Sequence, residues 1–339
     1  MLHKSWLVRQ IKDDVVQCRV CEHFCTLKPD EWGKCGVRVN REGAIYSTVY
    51  GQAIATHIDP IEKKPLFHFL PGSPALSIGT YGCNMRCRWC QNWHISQTRE
   101  RDSQRDPGDI LPPDGLVESC LRRDIPCIAY TYNEPTVFFE YTYDTAKLAH
   151  GQGITNVYVS NGFMSQEALE AIVPYLDGIN VDLKGFSDDL YRTYTDARLA
   201  PVKRNIAYIA KDTDVWIEVT TLLIPGLNDS NEELRALATW LAEISPDLPW
   251  HVTAFYPTYQ MQDRPRTAPS TLQRAHQIGK DAGLRFVYVG NILDPDRENT
   301  YCPQCHTLLI KRWGYRTHTY WKVPGTCPTC GTVIPGRWM

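Results

Sequence analysis

The sequence has no apolar stretch of the length that a membrane-spanning helix needs, so no membrane span and no membrane partner are predicted. Its first residues, Met1 to Arg9, hold too short an apolar run for a secretory signal peptide, and we therefore expect a cytoplasmic protein. An excess of charge is also lacking, because 36 Lys and Arg residues face 38 Asp and Glu residues. Such a balance gives no global field that would attract nucleic acid or an anionic membrane.

Cysteine, in contrast, is abundant, with 13 residues in a chain of 339. In a reducing compartment, clustered cysteines hold metal more often than they form disulfides. They fall into an N-terminal group of four, a central group of three, an isolated pair predicted to lie in the core (Cys120 and Cys127), and a C-terminal group of four. This partition predicts three units, at residues 1–72, 73–292 and 293–339.

The central group, Cys83, Cys87 and Cys90, has C-x3-C-x2-C spacing and follows an apolar run at 75–80. Three cysteines this close cannot all pair as disulfides, and their thiolates suit a soft-ligand metal centre. A 4Fe–4S cluster normally takes four Cys ligands, so a set of three leaves one iron open to a substrate or cofactor. A structural zinc site is disfavoured, because zinc sites usually combine paired C-x2-C units and this triplet has no fourth ligand nearby.

Around the triplet, the sequence alternates between strand and helix patterns. Strands are predicted at 76–80, 127–130, 156–159, 178–182, 215–220, 250–253 and 285–289. Helices are predicted at 116–123, 136–150, 166–173, 232–244 and 272–282, with a further helical region between 182 and 215 and a charged, helix-poor stretch at 99–113. This alternation predicts a parallel sheet with right-handed crossover helices, curled into an open or closed barrel.

Polar residues follow several predicted strands, at the barrel end where sites of such folds lie. Three pairs stand at these positions: Asn133 and Glu134, Ser160 and Asn161, Asp182 and Lys184. Each pair alone has a simpler interpretation, respectively a helix N-terminus, an ordinary turn and a solvated ion pair. Their coincidence with the cysteine triplet favours a functional rim.

The triplet, with Trp89 before its last cysteine, resembles the signature of radical S-adenosylmethionine (SAM) enzymes. Segments over almost the whole chain resemble the AmmeMemoRadiSam family within that superfamily, namely 59–65, 130–135, 180–184, 223–229 and 249–251. This family is similar to the pyruvate formate-lyase activating enzymes. Its name refers to an association with Memo-like and AMMECR-domain proteins.

The resemblance implies a fold, two cofactors and a reaction. The fold is an incomplete (β/α)6 barrel, of α/β class. The open iron of a 4Fe–4S cluster on Cys83, Cys87 and Cys90 chelates SAM, and reductive cleavage gives methionine and a 5′-deoxyadenosyl radical that abstracts hydrogen from a substrate. A low-potential ferredoxin or flavodoxin is the expected electron donor, and Memo-like and AMMECR-domain proteins are candidate partners.

The resemblance also assigns residues to SAM. It places Glu134, at the position of the Gly-Gly-Glu motif of the superfamily, on the SAM amino group, with Tyr132 and Asn133 in place of the two glycines. Trp89 is expected near adenine. Ser160 and Asn161 are expected near the ribose or methionine part, and Asp182 and Lys184 near the SAM carboxylate or a bound cation.

The terminal cysteine groups predict further metal sites. Cys18, Cys21, Cys25 and Cys35 have C-x2-C-x3-C-x9-C spacing, which fits either tetrahedral zinc or a closed auxiliary iron–sulfur cluster. Two Cys-Pro-x-Cys turns at the C-terminus indicate a zinc-ribbon or rubredoxin-like module, for which zinc is expected rather than mononuclear iron. The four ligands of that module are Cys302, Cys305, Cys327 and Cys330.

Four functions are consistent with these patterns. A radical SAM enzyme is favoured, and a glycyl-radical activating enzyme is one form of it. A non-catalytic metal-binding adaptor is disfavoured by the intact triplet and by Glu134. RNA binding is the last alternative, because residues 301–339 carry five Lys or Arg and no Asp or Glu. We interpret that basic segment instead as the polar face of a small module whose metal tetrathiolate is negatively charged.

Overall fold

The computed structural model describes residues 2–98 and 109–338. The strands before the central domain are short: β1 (His3–Lys4), β2 (Val8–Lys12), β3 (Val15–Cys18), β4 (Thr26–Leu27), β5 (Arg38–Arg41), β6 (Ala44–Ser47) and β7 (Gln52–Ala53). The central strands are β8 (Ala55–Pro60), β9 (Pro74–Gly79), β10 (Asp109–Ile110), β11 (Cys127–Tyr130), β12 (Thr155–Ser160), β13 (Gly178–Asp182), β14 (Trp216–Leu223), β15 (Trp250–Ala254) and β16 (Val287–Gly290). The C-terminal strands are β17 (Thr300–Tyr301), β18 (Leu308–Trp313) and β19 (Arg316–Thr319).

The helices connect the central strands. They are α1 (Trp93–Ser96), α2 (Pro113–Arg122), α3 (Phe139–Gly151), α4 (Gln166–Ile172), α5 (Asp188–Thr195), α6 (Leu199–Asp212), α7 (Asn231–Ile244) and α8 (Pro269–Asp281). Short 3-10 turns occur at Ile61–Lys63, Pro135–Phe138 and Val173–Tyr175. The five helices that the sequence predicts with bounds are confirmed as α2, α3, α4, α7 and α8. Residues 99–108 of the predicted helix-poor stretch lie outside the described residues, and no described helix is both long and apolar enough to cross a membrane.

The central sheet confirms the predicted parallel α/β architecture. Its strand order is β16-β15-β14-β13-β12-β11-β9-β8, and every neighbouring pair is parallel except β8 with β9. Within the described residues the sheet thus has seven parallel strands, one more than a (β/α)6 barrel. The antiparallel strand β8 forms one edge, because the chain enters the sheet through a short connection instead of a crossover helix.

Local signals explain where the helices begin. The Ser230 side chain accepts a hydrogen bond from the Glu233 backbone N–H at 3.2 Å, so it caps the first turn of α7. Glu232 and Glu233 then place negative charge in that turn, where the helix dipole favours it. The helix α8 begins instead with Pro269, whose fixed φ suits a first helical position.

The two faces of the sheet bury different residues. The face beneath the helices is large and apolar, with Ile78, Ile179 and Val219 in one continuous core. On the opposite, inner face, small side chains such as Ala75 and Ala129 pack against the segment at 61–70. Cys120 and Cys127 are fully buried in these cores and are free, which confirms their predicted place. The small inner residues leave room for polar groups near the carboxyl ends of the strands.

A buried polar network closes the inner face near the amino ends of the strands. The Glu218 carboxylate accepts hydrogen bonds from the backbone N–H groups of Phe67 and His68, at 3.0 and 2.7 Å. The Trp216 indole donates to the same carboxylate at 3.0 Å, and His251 Nε2 lies 2.6 Å from it. Glu218 is fully buried. These bonds fix the chain segment before β9 against β14 and β15.

The C-terminal strands pack against the same end of the sheet. Phe67, Phe286 and Tyr288 share an apolar cluster with Cys302 and Leu309. Phe286 directly precedes β16, so this cluster lies at the amino end of that strand. The C-terminal cysteine module is therefore on the side of the barrel away from the predicted site.

The N-terminal strands form two small sheets, with orders β1-β6-β5 and β2-β3-β4. A buried ion pair attaches these strands to the barrel, because the Arg38 guanidinium donates to both oxygens of Glu140 in α3, at 2.9 and 2.6 Å. Both side chains are almost completely buried.

Candidate active site

The cysteine triplet lies in the loop that follows β9, and its neighbours hold the start of that loop. The Asn133 side chain accepts a hydrogen bond from the Thr80 N–H at 3.1 Å and donates to the Gly82 carbonyl at 2.8 Å. Further along, the N–H groups of Arg86 and Arg88 donate to carbonyls at the end of α5, at 2.7 and 3.1 Å. The Asn133 side chain therefore holds the backbone at the start of the loop in place.

The three thiols lie in a buried environment that suits a metal centre. The Met85 N–H donates to Cys83 Sγ at 3.4 Å, and the Cys90 thiol lies 3.0 Å from Ser96 Oγ. Burial raises the pKa of Cys83 well above its ordinary value and that of Cys87 to about 12. A thiol in such a place ionises when a cation balances its charge, so the donor set fits an iron–sulfur cluster.

Glu134 is a buried carboxylate of the rim that accepts four hydrogen bonds. One carboxylate oxygen, Oε1, accepts from the Thr136 N–H at 3.1 Å, from the Thr136 hydroxyl at 2.6 Å and from the Ser160 hydroxyl at 2.8 Å. The other oxygen, Oε2, accepts from the Asn161 N–H at 2.8 Å. Burial raises the pKa of Glu134, although these hydrogen bonds oppose the rise. Oε2 keeps lone-pair capacity for a cationic ligand.

Asn161 connects Glu134 with the cysteine loop. Its side-chain amide donates to Asn84 Oδ1 at 2.8 Å and lies 3.8 Å from Cys83 Sγ. The turn that carries it needs glycine at 162, because φ is +71° and a Cβ atom there would be 2.8 Å from Val181 Cγ1. The ends of β9, β11 and β12 therefore meet at one point.

Asp182 and Lys184 complete the rim at the end of β13. The Lys184 ammonium donates to Asp182 Oδ2 at 2.7 Å, and Tyr191 OH accepts from the Lys184 backbone N–H at 3.0 Å. Both charges act on the Cys87 thiol, whose pKa is raised by burial. Lys184 lowers that pKa and Asp182 raises it. The side chains of Asp182 and Lys184 are respectively 34% and 15% exposed, so the pair is partly accessible to solvent.

Trp89 is buried within the cysteine loop. Its ring is buried and packs against Tyr194, with the ring centroids 6.3 Å apart. The loop after β15 closes onto the same turn, because the Gln260 N–H donates to the Arg88 carbonyl at 3.0 Å.

Tyr132 belongs to a hydrogen-bonded cluster with Asp59 and Lys64, two residues for which the sequence predicted no role. Tyr132 has a left-handed backbone, with φ of +68°, and its carbonyl accepts from the Asn92 side chain at 2.6 Å. Its hydroxyl donates to Asp59 at 2.6 Å, and Asp59 also accepts from the buried Lys64 ammonium at 2.7 Å. The sequence signal was the segment 59–65, which the resemblance includes but to which it assigns no role.

The terminal cysteine groups are each brought together. Cys18, Cys21, Cys25 and Cys35 line one cavity. At the C-terminus, Cys302 Sγ lies 3.6 Å from Cys330 Sγ, and Cys305 Sγ lies 3.5 Å from Cys327 Sγ. All four C-terminal sulfurs are within 4.8 Å of one another. A tetrahedral metal with bonds of about 2.3 Å would hold its sulfurs about 3.8 Å apart, so this group fits a single metal ion.

A parallel α/β barrel with a three-cysteine loop and a buried carboxylate at the carboxyl ends of its strands defines an iron–sulfur enzyme. Residues 77–240 match the family model of the Radical SAM superfamily. The chain is also 38% identical over 318 residues to an uncharacterized protein of Methanocaldococcus jannaschii, and the match covers 92% of each chain. The chain belongs to the radical SAM superfamily and is an enzyme of that type.

Two further comparisons found partial similarity to other proteins. A second M. jannaschii protein, provisionally named a glycyl-radical enzyme activating enzyme, is 25% identical over 186 residues, which are 54% of this chain and 68% of that one. A domain of a pyruvate-formate lyase-activating enzyme from Bacteroides vulgatus superposes with a TM-score of 0.40 at 21% identity. That match covers 48% of this chain and 98% of the domain.

Proposed function

We propose that the chain cleaves SAM reductively and uses the radical product to abstract a hydrogen atom from a substrate. The supporting observation is the arrangement at the carboxyl ends of four neighbouring strands of the sheet, β9, β11, β12 and β13. The cysteine loop, Glu134, Asn161 and the Asp182–Lys184 pair follow these strands in turn. Four loops of the barrel thus supply thiolates, a carboxylate, an amide and an ammonium to one small region.

In this proposal Cys83, Cys87 and Cys90 hold a 4Fe–4S cluster. When bound, the cluster and SAM supply one-electron cleavage of the sulfonium C–S bond, giving methionine and a 5′-deoxyadenosyl radical. The protein holds the thiolates in place through the Met85 N–H and the backbone bonds of Arg86 and Arg88. It also surrounds them with buried side chains, which limit the access of water.

The rim residues recognise the methionine part of SAM. Glu134 Oε2 accepts a hydrogen bond from the SAM ammonium, since Oε1 already has three donors. Lys184 pairs with the SAM carboxylate, while Asp182 fixes the position of the Lys184 ammonium. Ser160 and Asn161 act through Glu134 and the cysteine loop, and Trp89 supports that loop near the adenine.

The remaining sites complete the proposal. Zinc binds to Cys302, Cys305, Cys327 and Cys330 and stabilises the third of three units, 1–72, 73–292 and 293–339. A low-potential ferredoxin or flavodoxin supplies the electron. Memo-like and AMMECR-domain proteins are the proposed partners, in line with membership of the AmmeMemoRadiSam family, and the protein acts in the cytoplasm.

Anaerobic reconstitution tests the reaction. The protein is loaded with iron and sulfide, reduced and mixed with SAM, and 5′-deoxyadenosine is measured by mass spectrometry. We expect product from the wild type and from Cys120→Ala, which removes a buried cysteine outside the sites, and none from Cys87→Ala. A loaded and reduced wild type whose cluster EPR signal does not change on adding SAM would contradict the proposal.

A glycyl-radical activating function is the second candidate. It is supported by the similarity to the M. jannaschii protein that carries this provisional name. In this case the hydrogen donor is a backbone glycine of a partner enzyme. The test is EPR of a co-encoded candidate partner after incubation with the reduced enzyme and SAM, where a glycyl-radical doublet would favour this function over a small-molecule substrate.

A further inference from the structure

The two terminal cysteine groups differ in the spacing of their sulfurs. Among the described residues, the C-terminal four are the group whose ligand atoms all lie within 4.8 Å of one another. Within the described residues, neither the N-terminal cysteines Cys18, Cys21, Cys25 and Cys35 nor Cys83, Cys87 and Cys90 form such a compact group. A mononuclear site holds its thiolates about 3.8 Å apart, as four Zn–S bonds of about 2.3 Å require. A cubane cluster holds them farther apart, because four irons and four sulfides lie between them.

The N-terminal sulfurs surround an empty space. They line one cavity together with Val20, Arg38 and Val137. Cys18 and Cys35 are buried, and Cys21 and Cys25 are partly buried. The four thiols therefore face one shared site that is largely shielded from water, as a cluster requires.

A buried donor in the cavity wall has no partner. The Arg38 side chain is 2% exposed, and its two terminal nitrogens are used by Glu140 and Ser5. Its Nε–H has no hydrogen-bond partner within residues 2–98 and 109–338. Leaving such a buried donor without a partner is destabilising. An inorganic sulfide or cysteine sulfur of a cluster in this cavity is an acceptor for it.

We infer that Cys18, Cys21, Cys25 and Cys35 ligate a second 4Fe–4S cluster, and that Arg38 Nε–H donates to one of its sulfurs. Each iron of this cluster has a cysteine ligand. No iron is then open to SAM or to a substrate, unlike the iron left open by Cys83, Cys87 and Cys90. A closed cluster of this kind suits electron transfer.

The second cluster lies directly beside the cysteine triplet. A Cβ atom at Gly82, the residue before Cys83, would be 2.7 Å from the Cys35 carbonyl oxygen. His23, between two of the N-terminal ligands, lies 2.7 Å from the Asn84 carbonyl through Nε2. The Arg86 guanidinium also donates to the Lys34 carbonyl. Ligand-bearing loops of the two sites are thus in van der Waals contact.

This contact gives the second cluster a role, which rests on the proposed function. A low-potential one-electron donor reduces the N-terminal cluster, and the same electron passes to the cluster on the triplet. The donor is oxidised and the triplet cluster is reduced, with no transfer of atoms. The N-terminal site is then the electron entry point.

Metal analysis of a variant without the triplet tests the assignment. In Cys83→Ala/Cys87→Ala/Cys90→Ala, reconstituted anaerobically, we expect about four irons and four sulfides per chain, with about one zinc at the C-terminus. Adding Cys25→Ser to this variant is expected to remove or convert the cluster, seen as lost iron or as the EPR signal of a three-iron form. About two zinc ions and no iron in the triple variant, or no metal at the N-terminal group, would overturn the assignment.

The wild type provides a second measurement that does not depend on the folding of a variant. Mössbauer spectra should show about eight irons per chain, all in cubane clusters. In the fully reduced protein, the EPR signal should be broadened by coupling between the two clusters, whereas the triple variant should give the narrower signal of one cluster. An additive spectrum would overturn the adjacency. Because the triple variant has no site for SAM cleavage, this result is independent of the proposed reaction.

Discussion

The carboxylate of Glu134 accepts four hydrogen bonds from neighbouring residues. Ser160 donates one of its four hydrogen bonds, so Ser160→Ala should weaken SAM cleavage while leaving the carboxylate in place. A hydrogen bond to a charged group is worth about 1.5–3 kcal/mol, and we expect roughly a tenfold loss of kcat/KM for SAM. The measurement is the rate of 5′-deoxyadenosine formation at limiting SAM.

The pH profile separates this positioning role from a loss of structure. With one donor fewer, the ionised form of Glu134 is less stable, so its pKa rises further and the acid limb of the rate profile moves to higher pH. Ser165→Ala is the control, because Ser165 caps α4 by accepting from the Ala168 N–H at 3.1 Å and does not touch Glu134. A control profile shifted as far as that of Ser160→Ala would contradict the prediction.

At the scale of elements, the contact between the N-terminal module and the cysteine loop depends on Gly82. Its φ is +88°, and an added Cβ would lie 2.7 Å from both the Cys35 carbonyl oxygen and Val37 Cγ1. Gly153, with φ of +73° and no atom within 4 Å of an added Cβ, is a matched control. Gly153→Ala should cost about 1 kcal/mol of stability from the left-handed backbone alone. Gly82→Ala should cost more and should also lower the iron content.

Thermal midpoints and iron per chain, measured side by side after reconstitution, check this prediction. The cost at Gly82 is steric, so the loops must separate to accept the methyl group. Equal iron loading in the two variants would show that the N-terminal module is not needed to hold the cysteine loop.

The sequence was sufficient for the repeating part of the fold. Buried parallel strands are short apolar runs, and β11 and β13 have the predicted bounds because Pro126 precedes the first run and Asp177 and Asp182 bound the second. Strand β8 was not predicted, because Asp59 and Pro60 at its end are typical of a turn and its pairing partner lies across a tertiary contact. Sequence spacing located Glu134, Ser160 and Asn161 at strand ends but could not show that the last two bond to the first.

At the scale of the whole molecule, the C-terminal module stabilises the barrel from the end away from the proposed reaction. Cys330→Ser removes one ligand at an exposed position, so it should release the metal with little direct loss of packing. Because Cys302 and Leu309 pack with Phe67 and Phe286, we expect a lower thermal midpoint. The amount of 5′-deoxyadenosine per loaded iron should stay near that of the wild type, and its loss would show that the module takes part in the reaction.

The buried network around Glu218 predicts that the fold weakens in acid. His68 is fully buried, its Nδ1 donates to the Pro335 carbonyl, and its Nε2 accepts from the Tyr288 hydroxyl, so it is neutral. Burial lowers the pKa of His68 from an ordinary 6.5 to about 4. Above pH 6.5 the buried, neutral His68 contributes fully to the stability of the fold. As the pH falls from 6.5 toward 4, the unfolded chain binds a proton at His68 and the folded chain does not, so stability is lost. The loss can reach about 3 kcal/mol.

Glu218 acts in the same direction. Burial alone would raise its pKa, but the hydrogen bonds from His251 and from the Phe67 N–H help to outweigh burial and lower it, so its contribution is also lost in acid. Urea midpoints at pH 7 and pH 5 check the prediction for the wild type and His68→Asn, with zinc retention verified at both pH values. The variant should be less stable at pH 7 and should lose about 2 kcal/mol less between the two pH values. Parallel losses in both proteins would assign the acid sensitivity to other groups, because Asn at position 68 has no proton to take up.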